Sequence, residues 1–154
     1  MSGYDPLSYH NGSVWPHDSA LVVAGLARYG FRDGAGRIAT DLLDAAEATG
    51  GRLPELYAGF DRAEYPVPVP YPSACSPQAW AAATPLAAVR LLLGLDPRLP
   101  DGEVALAPDW PQRYGRLHVE RLRLGDARVA LTAEGRTGSI EGLPAGIAVT
   151  GDLR

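Results

Sequence analysis

The sequence predicts a mainly helical protein that ends in a short antiparallel β tail. Its 154 residues are about the size of one domain. Helical signals separated by loops rich in proline and glycine fill residues 1–99, whereas residues 100–154 show the short apolar–polar alternation typical of strands. The composition changes near Leu99-Pro100-Asp101. We therefore expect helices and functional loops over 1–99, and an antiparallel β tail over 100–154 that packs on the helices.

The composition is that of an ordinary globular protein. Hydrophobic residues make up 46% and charged residues 21%, and the net charge is -4. These values exclude a disordered or collagen-like chain, and no apolar run approaches the roughly 18 residues that a membrane span needs. The sequence lacks the basic stripe of a duplex binder, which argues against nucleic acid as the main ligand.

Cysteine content bears on the compartment. Cys75 is the single cysteine, so no internal disulfide can form and folding does not depend on an oxidising environment. The first residues, Met1 to Asn11, lack the basic and then apolar build of a secretory signal. We expect a cytoplasmic protein with neither a membrane nor a nucleic acid as its partner.

The first two helices are predicted from their end signals. The first is expected to begin near Pro16 and to end at Arg28 or Tyr29, because proline is tolerated at the first helical position and Gly30 supplies a left-handed stop. Small or apolar residues surround most of this helix, which predicts that it is buried. The second is expected to run from about Asp33 or Gly34 to Thr49, with an apolar stripe that includes Ile38 and Leu42 and with acidic residues facing water.

A third helix is expected to begin at Ser76-Pro77 and to end at Gly94. Pro85 should kink or interrupt it, because a proline ring clashes with the preceding turn. The apolar stretch from Leu86 to Leu93 should be buried. The 24-residue segment before this helix shows no convincing period, and loops of that length in compact domains are usually functional or disordered; its aromatic residues favour an ordered loop.

Alternating apolar residues predict short strands along the tail. The register of the alternation slips by one residue near Glu120-Arg121, which predicts a β-bulge. Gly125-Asp126 predicts a two-residue hairpin turn leading to the alternating Val129, Leu131 and Ala133. Ile140, and then Ile147 with Val149, predict a last pair of short strands.

Polar, aromatic and hydrogen-bonding residues crowd into the segment that leads into the first helix, Tyr9-His10-Asn11-Gly12-Ser13-Val14-Trp15-Pro16-His17-Asp18. A helix N-terminus presents unpaired N–H groups and a partial positive charge. Trp15 offers a flat apolar face and one N–H donor, which suits stacking under a sugar ring, while His17 and Asp18 can hydrogen-bond hydroxyl groups. The open alternative is that Trp15 is a core residue and Asp18 only complements the helix dipole.

A second candidate segment is Arg52-Leu53-Pro54-Glu55-Leu56-Tyr57-Ala58-Gly59-Phe60-Asp61-Arg62. Glu55 follows a proline and stands between two leucines, so its carboxylate would lie near an apolar wall. A carboxyl group in such a place can have its proton affinity tuned for acid–base work. The open alternative is a structural network in which the arginines and carboxylates of this segment pair: Arg52, Glu55, Asp61 and Arg62.

The histidines and the cysteine give weaker evidence for a functional site. His10 and His17 are seven residues apart and straddle a loop and a helix start, which gives no compact metal spacing. We therefore expect no metal and no other cofactor. Cys75 would lie beside a helix N-terminus, but no His–Asn or His–Asp arrangement accompanies it, so a small buried thiol is expected. His118 lies in a strand pattern and is expected to be structural.

Three motifs in order carry a family resemblance: Tyr9–Asp18, Arg52–Leu56 and Ala74-Cys75-Ser76-Pro77-Gln78-Ala79-Trp80. Together they resemble the C-terminal end of bacterial glycogen-debranching-type proteins, the amylo-α-1,6-glucosidase group of six-hairpin glycosidases. The resemblance covers essentially the whole chain. It implies part of an (α/α)6 toroid whose inner helices and loops line a sugar pocket, and inverting hydrolysis of an α-glucan or oligosaccharide.

The resemblance also implies residue roles. Glu55 matches the catalytic base, which activates water while a carboxylic acid protonates the leaving oxygen. Sugar contacts are implied for residues of all three motifs and of the loop after the base: Trp15, His17, Asp18, Tyr57, Phe60, Asp61, Gln78 and Trp80.

One departure from the family limits the activity that we expect. The family's general-acid Asp has no counterpart in this sequence, because the earlier hairpins that would carry it are missing. Hydrolysis should therefore be very slow or absent unless the missing N-terminal part of the toroid is supplied as a partner. The alternatives are a non-catalytic carbohydrate-binding or scaffold fragment and an inert remnant.

Overall fold

A computed structural model of the protein describes residues 3–151. It begins with a helical hairpin, in which α1 (Pro16–Arg28) packs against α2 (Arg32–Ala48). The predicted start of α1 is confirmed, and the left-handed Gly30 (φ 86°) follows its end. The predicted burial of α1 is wrong. Pro16 and Val23 are buried, but Leu21 and Val22 are 61% and 57% exposed.

Helix α3 spans Thr84–Leu92 and follows a short 3-10 turn at Ala81–Ala83. The predicted helix start at Ser76-Pro77 is wrong. Pro85 lies in the first turn of α3, where its missing N–H costs no helical hydrogen bond, whereas a start at Pro77 would place Pro85 in a helix interior. The stretch expected to be buried is so only in part, because Leu86 is 74% exposed.

A long connection between α2 and α3 closes over the first hydrophobic core. No residue of this connection before Ala81 belongs to a helix or an extended strand, although isolated bridges pair Tyr57 with both Val14 and Pro70. The buried cluster beneath it joins the end of α2, the connection and the 3-10 turn: Ala45, Ala46, Leu53, Tyr57 and Ala81.

The part of the chain after α3 contains six strands, which form two three-stranded sheets. The bounds of the strands are β1 (Asp96–Arg98), β2 (Glu103–Ala105), β3 (Leu117–Leu124), β4 (Ala127–Glu134), β5 (Thr137–Glu141) and β6 (Ala148–Thr150). One sheet has the order β1-β2-β6, and the other is the antiparallel meander β3-β4-β5.

Local features of the meander agree with the sequence. The pairing of β3 with β4 shifts between Val119 and Leu122, and Arg121 adopts a φ of 57°, so the predicted bulge is confirmed. The two residues between β3 and β4 are the predicted Gly125-Asp126 turn. The alternation in β4 is also confirmed, because Val129, Leu131 and Ala133 are buried while their neighbours are not.

The two predicted last strands are confirmed, as β5 around Ile140 and β6 around Val149, but the expected antiparallel arrangement is wrong for β6. β5 pairs with β4, whereas β6 leaves the meander and pairs with β2 in parallel, so the β tail is not wholly antiparallel. Parallel neighbours need a long crossover connection, and the whole meander supplies it between β2 and β6. A strand, β1, also precedes residue 100.

The predicted mainly α fold, part of an (α/α)6 toroid, is wrong. Residues 3–151 contain three α-helices and two three-stranded sheets, which is an α+β architecture. Prolines at alternate positions over 66–72 exclude a helix there, and alternating apolar residues extend the later part of the chain into strands.

The chain divides into two compact units, one ending at Ala88 and the other beginning at Val89, while composition alone places the change near residue 99. None of the helices within residues 3–151 combines the length and the apolar character that crossing a bilayer requires.

Candidate functional site

Backbone hydrogen bonds join the three sequence motifs. Val14 and Tyr57 exchange both N–H···O bonds at 2.8 Å, which ties the segment before α1 to the segment after α2. The N–H of Glu55 donates to the carbonyl oxygen of Cys75 at 2.9 Å, and the N–H of Gln78 donates to that of Leu53 at 3.2 Å. Residues distant in sequence are therefore fixed beside one another by main-chain groups.

Glycine allows the closest of these approaches. Gly59 lies against the carbonyl group of Gly12, and a Cβ atom at Gly59 would overlap that oxygen. Gly12 in turn lies against the carbonyl of Asp5. The crossing of the two loops thus depends on the absence of a side chain at Gly59, and the fold of the segment before α1 depends on its absence at Gly12.

Four rings form a continuous row across the motifs, which we call the aromatic row: Tyr9, Trp15, Trp80 and His17. Tyr9 meets Trp15 edge-on at 4.7 Å between ring centroids, and the indole N–H of Trp15 donates to the carbonyl of Tyr9 at 3.1 Å. Trp15 and Trp80 are 6.2 Å apart, and His17 stacks on Trp80 at 4.6 Å with an interplanar angle of 9°.

A carboxylate lies at each end of the aromatic row. The hydroxyl of Tyr9 donates to Oε1 of Glu55 at 2.8 Å. At the other end, Oδ1 of Asp18 lies 3.8 Å from Nδ1 of His17, and the Asp18 side chain is 67% exposed. The predicted base and the predicted sugar-contacting residues Trp15, His17, Asp18 and Trp80 therefore belong to one connected group.

Glu55 affects the ionisation of its neighbour. The hydrogen bond that Glu55 accepts raises the pKa of Tyr9 above the usual 10.0, and desolvation and the carboxylate charge act in the same direction. The reason is that a deprotonated Tyr9 would lose its hydrogen bond to Glu55, and its negative charge would be repelled by the carboxylate. Tyr9 therefore stays a hydrogen-bond donor to Glu55 across the physiological range.

The structure does not support the alternative hypothesis, in which Glu55 belongs to a network of arginines and carboxylates. Arg62 pairs instead with two carboxylates of α2, Asp41 at 2.5 Å and Asp44 at 3.1 Å. Within residues 3–151 no ion pair joins Glu55 to an arginine. The Glu55 carboxylate therefore keeps an acceptor position that Tyr9 does not occupy.

Four residues with implied sugar contacts do not join the aromatic row. Tyr57 is buried (4% exposed), and its hydroxyl lies 3.4 Å from both the Thr49 hydroxyl and the Ala45 carbonyl oxygen. Phe60 packs on Tyr65 at 4.7 Å. The other two, Asp61 and Gln78, bind nearby backbone N–H groups, those of Ala63 at 2.8 Å and Ala79 at 3.2 Å.

Sequence reasoning did not single out Tyr9 and Tyr71. Tyr71 meets Tyr9 edge-on at 5.8 Å between ring centroids. Tyr9 could have been found from its place at the start of the first motif. The ring of the next residue, His10, lies parallel to that of Trp15 at 6.0 Å. Tyr71 lies in the proline-rich segment, where neither spacing nor motif marks it.

The cysteine and the third histidine lie outside the aromatic row. Cys75 is exposed rather than buried as expected, although its backbone is bound to Glu55. His118 is half exposed and pairs with Glu120 at 3.2 Å on the outer side of β3. In the part of the chain from residue 3 to residue 151, no three His, Cys, Asp or Glu side chains are grouped so as to hold a metal ion.

Comparison with known proteins gives no assignment: no protein-family model matches this chain, and no curated protein matches it either. The resemblance of its three motifs to the glycogen-debranching type therefore stays a prediction from the sequence. What the arrangement can do chemically is accept a proton at Glu55 and present flat apolar faces with hydrogen-bonding edges to a ligand.

Proposed function

We propose that this chain supplies the catalytic base and part of the saccharide-binding surface of an inverting glycoside hydrolase that acts on an α-glucan or oligosaccharide, as in glycogen debranching. The observation that carries this proposal is the hydrogen bond from Tyr9 to Glu55 at the end of the aromatic row. It connects a proton acceptor directly to a set of rings of the kind that bind sugars.

The position of Glu55 suits the activation of water. Tyr9 occupies Oε1, and no donor within residues 3–151 reaches Oε2. A water molecule can bind Oε2 and transfer its proton there as it attacks the anomeric carbon. Tyr9 fixes the orientation of the carboxylate, since a bond to Oε1 restricts its rotation about the terminal torsion.

The aromatic row suits the binding of a sugar. The axial C–H faces of a pyranose pack on aromatic rings, while indole and imidazole N–H groups serve hydroxyl oxygens. Trp80 is 46% exposed although His17 stacks on it, so part of its indole ring is accessible to a ligand. Asp18 and His17 at the far end supply acceptors and donors for hydroxyl groups.

Inversion requires a second carboxyl group. The two carboxyl groups of an inverting site stand roughly 6.5–9.5 Å apart so that water fits between one of them and the sugar. Asp18 lies at the opposite end of the aromatic row from Glu55, with two indole rings between them. We therefore assign the general acid to a separate polypeptide segment, which would be the partner of this chain.

The test combines binding and turnover. Calorimetry with maltooligosaccharides should detect binding to the chain, and Trp80→Ala should weaken it about fivefold, the worth of one aromatic contact of roughly 1 kcal/mol. Addition of the acid-bearing segment of a full-length homologue should restore hydrolysis. Glu55→Gln should then lower the rate by about 10²–10⁴-fold, because the general base is lost.

Glu64→Gln is the matched control, since Glu64 is an exposed glutamate of the same connection. Its hydrolysis rate should equal that of the unmodified chain. Equal rates for Glu55→Gln and Glu64→Gln would refute the role of Glu55.

A second candidate function is a non-catalytic carbohydrate-binding or scaffold module. The observation that favours it concerns the two carboxylates. Glu55 is hydrogen-bonded to Tyr9 of the aromatic row, whereas the Asp18 side chain at the other end extends into solvent, so the two do not form a catalytic pair. Heat of binding with no turnover, even beside the acid-bearing segment, would support this module. We place either function in the cytoplasm, because the single Cys75 makes no demand for an oxidising compartment.

A further inference from the structure

A cleft apart from the aromatic row lies in the unit that contains the helical hairpin. It has a volume of about 350 Å³ and lies between α1, α2 and the segment 57–69. Neither Glu55 nor any member of the aromatic row lines it. We call it the proline cleft, because Pro66 and Pro68 form part of its wall.

The wall that contains the prolines is stiff. Proline at alternate positions favours an extended polyproline conformation, which has no internal hydrogen bonds to lose and little freedom to fold inward. The strip is held at both ends: Tyr65 N–H donates to the Asp61 carbonyl at 2.9 Å, and Ala58 N–H donates to the Val69 carbonyl at 3.0 Å. The cleft is therefore formed before any ligand arrives.

The inner surface of the proline cleft is apolar. Leu42, Ala45 and Tyr57 are buried residues of its lining, and the rings of Phe60 and Tyr65, in contact at 4.7 Å and tilted by 36°, also line it. Binding clefts for small molecules usually measure about 300–1,000 Å³ and combine such walls with a few polar groups. The size and lining therefore suit an aromatic or branched aliphatic body.

The polar groups of the cleft are concentrated on α2 and Arg62. Arg62 binds Oδ1 of Asp41 at 2.5 Å and Oδ2 of Asp44 at 3.1 Å, so one guanidinium faces two carboxylates. No donor within residues 3–151 reaches Oδ2 of Asp41, and the Asp41 side chain is 51% exposed. The remaining acceptor of Asp41 therefore complements a cation.

We propose that the proline cleft binds a small primary ammonium compound with an apolar body. The body packs between Leu42 and the ring pair of Phe60 and Tyr65, and the ammonium group binds Oδ2 of Asp41 beside Arg62. This site is independent of the saccharide site, so the inference does not rest on the function proposed above.

The first test compares three probes that share one body: phenethylammonium, phenethyl alcohol and phenylpropanoate. Titration of the full chain is followed by calorimetry and by amide shifts in the nuclear magnetic resonance spectrum. The ammonium compound should bind about fivefold more tightly than the alcohol, the worth of one exposed ion pair, and this advantage should shrink in high salt. Tighter binding of the carboxylate, equal binding of all three, or no binding would each overturn the proposal.

The second test alters the cleft. Ala48→Leu should fill it and abolish binding of phenethylammonium, while Ala24→Leu, at an exposed position of α1 outside the cleft, should not. Asp41→Asn keeps the side-chain shape and should reduce the affinity for the ammonium compound to that for the alcohol. Asp33→Asn, elsewhere on α2, is its control. Unchanged affinity in Ala48→Leu or in Asp41→Asn would contradict the site, and maltooligosaccharide binding should be the same in all four variants.

Discussion

Tyr9 and Glu55, 46 positions apart in the sequence, share a hydrogen bond of 2.8 Å from the phenol to Oε1 of the carboxylate. This contact links the loop before α1 to the loop after α2 through side chains, beside the main-chain pairing of Val14 with Tyr57. It also couples the ionisation of a tyrosine to the group that we propose as the base. That coupling can be measured without any substrate.

We expect the alkaline titration of Tyr9 to be displaced upward. The pKa of Tyr9 is raised in the folded chain, so its neutral form is favoured by folding; the associated stability is complete below about pH 10, the unfolded pKa, and is lost as the pH rises through the folded value. The difference in tyrosinate absorbance between the unmodified chain and Tyr9→Phe isolates this group. Glu55→Gln should return the Tyr9 midpoint toward 10. A midpoint at or below 10 in the unmodified chain would contradict the coupling.

Gly59→Ala should destabilise the fold by about 1–3 kcal/mol. The new Cβ would overlap the Gly12 carbonyl, and both partners are backbone that cannot move independently of the loops. Gly36→Ala, in the interior of α2 where a Cβ meets open space, should instead stabilise by about 0.5–1 kcal/mol through helix propensity. Urea denaturation followed by tryptophan fluorescence measures both. If Gly59→Ala were as stable as the unmodified chain or more so, the close crossing of the loops would be disproved.

Arg121→Gly should raise the melting temperature. Arg121 has a φ of 57° in the bulge of β3, a conformation that costs a residue with a Cβ roughly 1–2 kcal/mol and costs glycine little. Arg123→Gly, two residues along the same strand, should lower it, because glycine weakens a regular strand position. Differential scanning calorimetry separates the two, and a loss of stability in Arg121→Gly equal to that in Arg123→Gly would show that the bulge is unstrained.

Leu53→Ala should cost about 2–5 kcal/mol of stability. Leu53 is completely buried in the cluster with Ala45 and Tyr57, so truncation leaves a void beneath the candidate site. Leu21→Ala, at a position of α1 that is 61% exposed, should change stability by no more than about 0.5 kcal/mol. Urea unfolding gives both values, and a small effect at Leu53 would mean that the connection is not packed on α2.

Features set by a few adjacent residues could be predicted from the sequence. The start of α1 at Pro16, the turn at Gly125-Asp126 and the bulge beside Arg121 each depend on local backbone restrictions. The start of α3 could not, because Ser76-Pro77 has the form of a helix cap while Gln78 N–H is engaged by Leu53 across the fold. The parallel pairing of β6 with β2 also escaped, since alternation marks a strand but not its partner.

The candidate site divides in the same way. The residue types of the first two motifs singled out Trp15 and Glu55, and the family resemblance added Trp80; the structure places all three in one connected group. The motifs did not separate Tyr57 from them, although its side chain lies in the core. Adjacency in a motif says nothing about which side of an irregular segment faces inward, and the contact of Tyr71 with Tyr9 arises only when the loops meet.

The placement of Cys75 offers a practical route into this chemistry. It is the sole thiol of the sequence, it is exposed, and its carbonyl oxygen holds the amide of Glu55. A solvent-sensitive dye coupled to this thiol by maleimide would label the native polypeptide at a single known position, next to the backbone of Glu55. Its emission would then report the arrival of a carbohydrate in real time, with no engineered residue.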